Sequence, residues 1–257
     1  MIKAVFFDVD GTLLSHKTRQ VPDDTKQVLQ KLREKGIKIF VSTGRHPVEL
    51  SRLPVNDMSF NGYITLNGQL CLDGEKRVIY GNPFTKTAAK RLVSLFESKK
   101  YPMSLVEEKR IYINFVNDVV CKAQESVSSP VPMIDVYDGE QIYQVTSYVT
   151  EKEAFQLEAD LPDGCKMARW SDGGVAVIPA DSGKTRGMEY FCAYYDIKPE
   201  ETMAFGDAEN DMDMLRSAQI GVAMGNAHNC VKTIADFVTT DVDRAGIRYA
   251  IEHFHII

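Results

Sequence analysis

The sequence predicts an α/β fold, a largely parallel sheet interrupted by a separate α+β region. Three observations carry that prediction. Short apolar runs alternate with helical patterns at both ends of the chain. The first two runs are joined by a crossover long enough for a helix, which is how parallel strands are connected. Carboxylates, hydroxyls and glycines follow these runs directly, and open α/β sheets place their ligands at the carboxyl ends of strands.

The elements follow in order. Residues 4–7 (Ala-Val-Phe-Phe) read as a buried strand ending at Asp8-Val9-Asp10-Gly11-Thr12. A polar stretch leads to Pro22-Asp23-Asp24, a helix start with acidic residues in its first turn. Val28, Leu29 and Leu32 keep helical spacing and Gly36 ends the run. Residues 37–41 form the second strand, which ends in Ser42-Thr43-Gly44-Arg45, with a helix expected near Pro47. Residues 62–66 form the third strand, followed by the turn signal Asn67-Gly68 and a hairpin about Asp73-Gly74.

The pattern changes near Asn82-Pro83. Helices are expected at 85–98 and 151–161, and strands at 103–107, 111–115, 141–150, 165–170 and 173–178. Prolines and serines blur residues 123–138. The α/β pattern then resumes with a helix over 185–195 and a strand over 201–205 that ends in Gly206-Asp207-Ala208-Glu209-Asn210-Asp211. A helix at 212–217, a strand at 220–224, an edge strand at 237–239 and a helix over 241–255 complete the chain. The domain boundaries are accordingly 1–83 with 180–257 for the core and 84–179 for the insert.

Composition excludes several classes. With 44% hydrophobic and 26% charged residues, 257 residues are enough for a sizeable core, and disorder is not expected. A formal net charge of −6 without a basic block argues against nucleic-acid binding. No apolar stretch approaches bilayer length and no signal-peptide pattern opens the chain, so a cytoplasmic setting is expected. The five cysteines are scattered, with no CxxC pair, and indicate neither a disulfide framework nor a zinc site. His228, His253 and His255 have no metal-ligand spacing and read as surface or packing residues.

Four stretches offer chemistry. Asp8 and Asp10, two apart on an extended chain, share a face. Their like charges call for a proton or a cation, and oxygen ligands favour a hard ion such as Mg²⁺. The plainer alternative is an Asp-Gly turn. Thr43 and the backbone N–H groups around Gly44 suit a phosphate oxygen, while a Ser/Thr helix cap is compatible with the same residues. Lys184 falls in the first turn of a helix, where the dipole disfavours a cation, so an anion facing it would explain it better; a solvated surface lysine is the rival. Asp207 is a further metal ligand at a strand end, and Asn210 and Asp211 could orient ligands or hold phosphate; an acidic N-cap cluster is the alternative.

In this order, Asp8-Val-Asp10-Gly-Thr-Leu, Ser42-Thr43-Gly44-Arg45, Lys184 and Gly206-Asp207-Ala-Glu-Asn210-Asp211 resemble the four motifs of the haloacid dehalogenase (HAD) superfamily. The chain is most similar to the Cof-type branch (subclass IIB), which carries a C2-type α/β cap between the second and third motifs. Asn67-Gly68 and Gly221-Val-Ala-Met-Gly-Asn-Ala227 add support, and Ser42 and Thr185 are small departures that remove no functional group. The resemblance covers nearly the whole chain. It implies a Rossmann-like parallel-sheet core with an inserted cap domain, and a Mg²⁺-dependent phosphatase acting on phosphomonoesters of small metabolites, sugar phosphates foremost.

In that scheme Asp8 is the nucleophile that forms an aspartyl-phosphate, and Asp10 is the general acid and then the base. Thr43, Gly44, Lys184 and Asn210 hold the phosphoryl group. Asp8, the Asp10 carbonyl and Asp207 hold Mg²⁺, with Asp211 on the metal side. Lys109, Arg110, Lys166, Arg169 and Trp170 are cap candidates for leaving-group contacts. Two other readings stay open. A phosphomutase of the phosphomannomutase type would need a basic cluster on the cap, where cations are few and dispersed; a non-catalytic phosphometabolite-binding protein would be expected to have lost one of Asp8, Asp10, Lys184 or Asp207. The substrate is expected to be a small phosphorylated molecule; oligomeric state is not legible in the sequence.

Overall fold

A computed structural model describes residues 1–127 and 129–257, so Ser128, within the blurred stretch, lies outside the described residues. The chain divides into two compact units, Met1–Tyr80 with Gly183–Ile257, and Gly81–Ser182.

The first unit begins with β1 (Ala4–Phe7), α1 (Asp23–Glu34), β2 (Lys38–Ser42), α2 (Pro47–Leu50), β3 (Gly62–Thr65), β4 (Leu70–Asp73) and β5 (Val78–Gly81). The second unit contains α3 (Lys86–Ser98), β6 (Met103–Val106), β7 (Ile111–Ile113), α4 (Asp118–Ser126), β8 (Met133–Ile134), β9 (Gln144–Ser147), α5 (Glu151–Asp160), β10 (Cys165–Ser171) and β11 (Gly174–Pro179). The first unit resumes with α6 (Lys184–Tyr194), β12 (Thr202–Gly206), α7 (Met212–Ser217), β13 (Ile220–Ala223), α8 (Asn229–Ile234), β14 (Phe237–Val238) and α9 (Gly246–His253).

In the first unit the strands run β14-β13-β12-β1-β2-β3-β4-β5. The pairings from β14 to β3 are parallel, and β3 with β4 is antiparallel. A parallel sheet is covered on both faces, which is why β1 is apolar at every position. Successive side chains separate onto the two faces. Val5 and Phe7 join Ile39 and Val41 in one core, with Val28, Leu29 and Leu32 of α1 and Ile247 and Ile251 of α9. Ala4 and Phe6 join Phe40 in the other, with Met188 and Phe191 of α6 and Met214 of α7. Phe6 stacks on Phe40 at 4.8 Å and Phe7 on Phe205 at 5.2 Å, tying the central strands together on both sides. This is the Rossmann-like α/β core that the sequence predicts. Parallel pairing sends the carboxyl ends of β1, β2, β3, β12 and β13 to one edge, where the polar motifs emerge.

The second unit has its own sheet, β10-β11-β9-β6-β7-β8, antiparallel except for β7 with β8. Leu92 and Phe96 of α3 and Leu157 of α5 pack with Leu105, Val145 and Val177. Helix α4 falls partly in the blurred stretch. Asn117 caps it by accepting from Val120 N–H at 3.1 Å, and Val120 and Ala123 pack on Ile113 and Tyr148. Near the C-terminus the continuous helix expected over 241–255 is broken: Ala245 sits at φ 57°, and the α-helix begins only at Gly246.

All five cysteines are free. Among the described residues no helix is long and apolar enough to cross a membrane.

Candidate active site

Four of the sequence-predicted residues meet in a buried cluster at the strand ends. Asp8 leaves β1, with its N–H donating to Phe205 O at 3.0 Å. Asp207 leaves the neighbouring β12, and Asp211 closes the turn beyond it. One carboxylate oxygen from each of Asp8, Asp207 and Asp211 lies within 4.8 Å of the others, and all three residues are buried. Lys184, at the first position of α6, donates from Nζ to Asp8 Oδ1 at 2.6 Å and to Asp211 Oδ1. Its side chain is 0% exposed, so the solvated-lysine reading falls and the anion facing the helix start is identified.

The local chain explains the convergence. The N–H groups of Asp207 and Ala208 donate to Asp211 Oδ2 at 3.0 and 2.9 Å, so the turn folds back on its own carboxylate. Thr12 Oγ1 donates to Asp207 Oδ1 at 3.1 Å. Gly11, at φ +85°, leaves room for Asp207, since a Cβ there would overlap Asp207 Oδ2. Asn226, after β13, donates to Gly11 O at 2.8 Å and to Asp207 Oδ2 at 3.5 Å.

Three buried carboxylates with one ammonium leave an excess of negative charge. Burial first, then the charge of Asp211, push the Asp8 carboxyl up to about 7, against the pull of Lys184. Burial, then Asp8 and Asp211, push Asp207 up to about 9. Burial opposes the Lys184 charge, but Asp211 and Asp8 outweigh it and hold the ammonium above the usual lysine range. Three carboxylates with surplus charge and oxygen donors only are a fitting seat for a hard divalent cation.

Asp10 is placed differently. Its side chain is 30% exposed and lies in the fork of Arg45, whose Nε donates to Oδ2 at 2.6 Å and Nη2 to Oδ1 at 2.8 Å. Thr43 is buried beside it, its Oγ1 accepting from Arg45 N–H at 3.1 Å. Gly44 abuts Asn67, whose Oδ1 accepts from Asn210 Nδ2 at 3.0 Å. Asn67 itself is fixed by a left-handed backbone (φ 53°) and by an N–H bond to Thr43 O. Thr43, Gly44 and Asn210 therefore form one connected group, joined by Asn67.

Sequence reasoning gave no role to Thr12, Arg45, Asn67 or Asn226. Each stands within or beside a quoted motif, in the few residues that follow a core strand, and that position is the signal that could have singled it out. Among the cap candidates, Arg110 is already committed to Glu107, Asp135 and Asp138, and Arg169 to the carbonyls of Ser171 and Asp172. Lys166 donates to Ser182 O, and Trp170 packs edge-on against Tyr148.

The chain is similar to known proteins over nearly its whole length. The pattern of the haloacid dehalogenase-like hydrolases matches residues 5–251. The Bacillus subtilis (strain 168) protein named "Putative phosphatase YkrA" is 30% identical over 99% of this chain and 98% of its own. The structure of the phosphatase BT1666 from Bacteroides thetaiotaomicron superposes with a TM-score of 0.90 at 33% identity, covering 100% of this chain and 96% of that one. The HAD subclass IIB sugar phosphatase BT4131 superposes with a TM-score of 0.88 at 37% identity, covering 99% and 100%. The chain therefore belongs to the haloacid dehalogenase-like hydrolase family, in its Cof-type branch, and is a phosphatase-type hydrolase of phosphomonoesters.

Proposed function

We propose that the protein is a Mg²⁺-dependent phosphatase that hydrolyses phosphomonoesters of small metabolites, sugar phosphates foremost, through an aspartyl-phosphate on Asp8. The observation that carries this reading is the convergence of Lys184 with the buried carboxylates of Asp8, Asp207 and Asp211. The sugar-phosphate preference rests on the resemblance to the sugar phosphatase BT4131. The reading treats 84–179 as a domain inserted into the catalytic core.

Asp8, the Asp10 carbonyl and Asp207 would hold the metal, with Asp211 beside it. When bound, Mg²⁺ offsets the charge of the carboxylates and of the phosphoryl group. Asp8 attacks phosphorus as its carboxylate, and the bond to the leaving oxygen breaks. Asp10 gives its proton to that oxygen, then takes a proton from the water that attacks the phosphorylated Asp8 and releases phosphate. Lys184 lies against Asp8 and meets the phosphoryl oxygens with positive charge, while Asp211 holds its ammonium in place. Thr43, Gly44 and Asn210 hold the remaining phosphoryl oxygens. Arg45 engages both oxygens of Asp10, so one of its two hydrogen bonds must yield when Asp10 transfers a proton.

The test is phosphate release from a panel of phosphorylated sugars, nucleotides and cofactors, with Mg²⁺ and with chelator. Wild type should release phosphate only with Mg²⁺ and fastest from sugar phosphates. Asp8→Asn should lose about a million-fold in kcat, the scale of deleting a covalent nucleophile. Appreciable turnover by Asp8→Asn would remove the nucleophile assignment, and turnover in chelator would remove the metal.

A further inference from the structure

A second group of metal-ligating side chains stands close to the active site and takes no part in it. Glu209 opens the short segment Glu209–Asp211, His228 is the N-cap of α8, and Cys230 follows within that helix. The backbone joins these stretches: His228 N–H donates to Asp207 O at 3.0 Å, pinning the start of α8 to the chain two residues before Glu209. One donor atom from each residue, a Glu209 carboxylate oxygen, a His228 ring nitrogen and Cys230 Sγ, lies within 4.8 Å of the other two. All three side chains are exposed, and His228 caps its helix without a side-chain hydrogen bond.

The donor set differs in kind from the buried carboxylates. Oxygen-only clusters suit Mg²⁺, whereas thiolate with imidazole and carboxylate suits Zn²⁺ and its soft neighbours. Such ions take ligands at about 2.0–2.3 Å, and exposed side chains are free to rotate to that distance. Three protein ligands leave a fourth tetrahedral position for water.

We propose that Glu209, His228 and Cys230 form a binding site for a Zn²⁺-class cation, distinct from the Mg²⁺ seat at Asp8 and Asp207. On binding, Cys230 Sγ releases its proton to solvent and a metal–sulfur bond forms, with no change of oxidation state. Because His228 is bonded to the Asp207 carbonyl, the bound ion braces the segment that carries Asp207.

Cobalt(II) titration of the whole protein with Mg²⁺ in excess tests the site, because a thiolate ligand to Co²⁺ gives a near-ultraviolet charge-transfer band that carboxylates cannot produce. The wild type should develop the band with saturation at one equivalent, and Zn²⁺ should displace it. Cys230→Ser should abolish the band. His228→Ala and Glu209→Gln should each weaken Co²⁺ binding by at least about tenfold while circular dichroism stays unchanged. No band in the wild type overturns the site, as does a band that survives Cys230→Ser. Binding that is indifferent to both His228→Ala and Glu209→Gln would reduce the site to a thiol adduct and overturn it equally.

Discussion

The floor and the rim of the active site solve the same problem in opposite ways. At the floor, Asp8, Asp207 and Asp211 are buried together, and among the described residues Lys184 is the cation paired with them, to Asp8 and Asp211. At the rim, Asp10 is partly open to solvent and its whole carboxylate is engaged by one guanidinium, Arg45. Two aspartates separated by one residue thus occupy different electrostatic settings. The floor keeps unsatisfied negative charge, which suits a cation and a nucleophile. The rim is balanced within itself, the Arg45 guanidinium offsetting the Asp10 carboxylate at partial solvent exposure. In the mechanism proposed above, environment rather than residue type would divide the labour between the two carboxylates.

That division is broken most severely at Lys184. Lys184→Met leaves Asp8 and Asp211 buried without their counter-ion, a change expected to cost about 3–5 kcal/mol of stability in chelator. Urea unfolding measures it, and a loss below about 1 kcal/mol would mean that the pair is far better solvated than its burial implies. At the rim, Asp10→Asn should leave the fold intact and lower kcat by about 10²–10⁴-fold, the usual worth of a general acid–base group. Substrates with good leaving groups, such as aryl phosphates, should recover part of that loss. An equal loss for alkyl and aryl esters would separate Asp10 from leaving-group protonation. Arg45→Ala should cost less, about 10–100-fold in kcat, with Lys at the same position restoring only part because it lacks the fork. Unchanged kcat in Arg45→Ala would leave the bidentate pair without a catalytic role.

What could be read from the sequence was local. The run 4–7 and its following carboxylates, the glycine after Thr43 and the acidic turn after β12 are each complete within a few neighbouring residues, so apolar pattern and turn chemistry suffice. The pairings that define the site are not local. Lys184 meets Asp8 across 176 positions, and Thr12 meets Asp207 across 195. Only parallel strand order brings them together, and strand order is not written in any one segment. Helix α4 was obscured because its core-facing residues are few, Val120 and Ala123 with Gln124, although its Asn117 cap was there to be read. Ala245 hid the break before α9, since an alanine at positive φ goes against its own preference and is held by surrounding structure. His228 and Cys230 looked unconnected to any acid because Glu209 is distant from them in the sequence and comes beside them in the folded chain.

The smallest expected effect is the most specific to the floor. In the metal-free folded chain Asp8 is raised to about 7 and Asp207 to about 9, whereas both return to ordinary carboxylate values on unfolding. Between those limits the folded state binds more protons than the unfolded state. The slope of unfolding free energy with pH is then negative, and the metal-free protein loses stability as pH rises through the window. Lys184, raised rather than lowered, contributes stability that begins to be lost only above the ordinary lysine range, outside that window. In the proposed scheme a bound Mg²⁺ would take the place of those protons, so its stabilising effect should grow with pH. Calorimetry with saturating Mg²⁺ and with chelator should show a larger gain in Tm at about pH 8 than at about pH 5. Asp207→Asn, which removes the most strongly raised carboxyl, should flatten the pH dependence of the chelated protein. If Mg²⁺ stabilised the wild type equally at both pH values, the cation's seat would have to be sought away from Asp8 and Asp207.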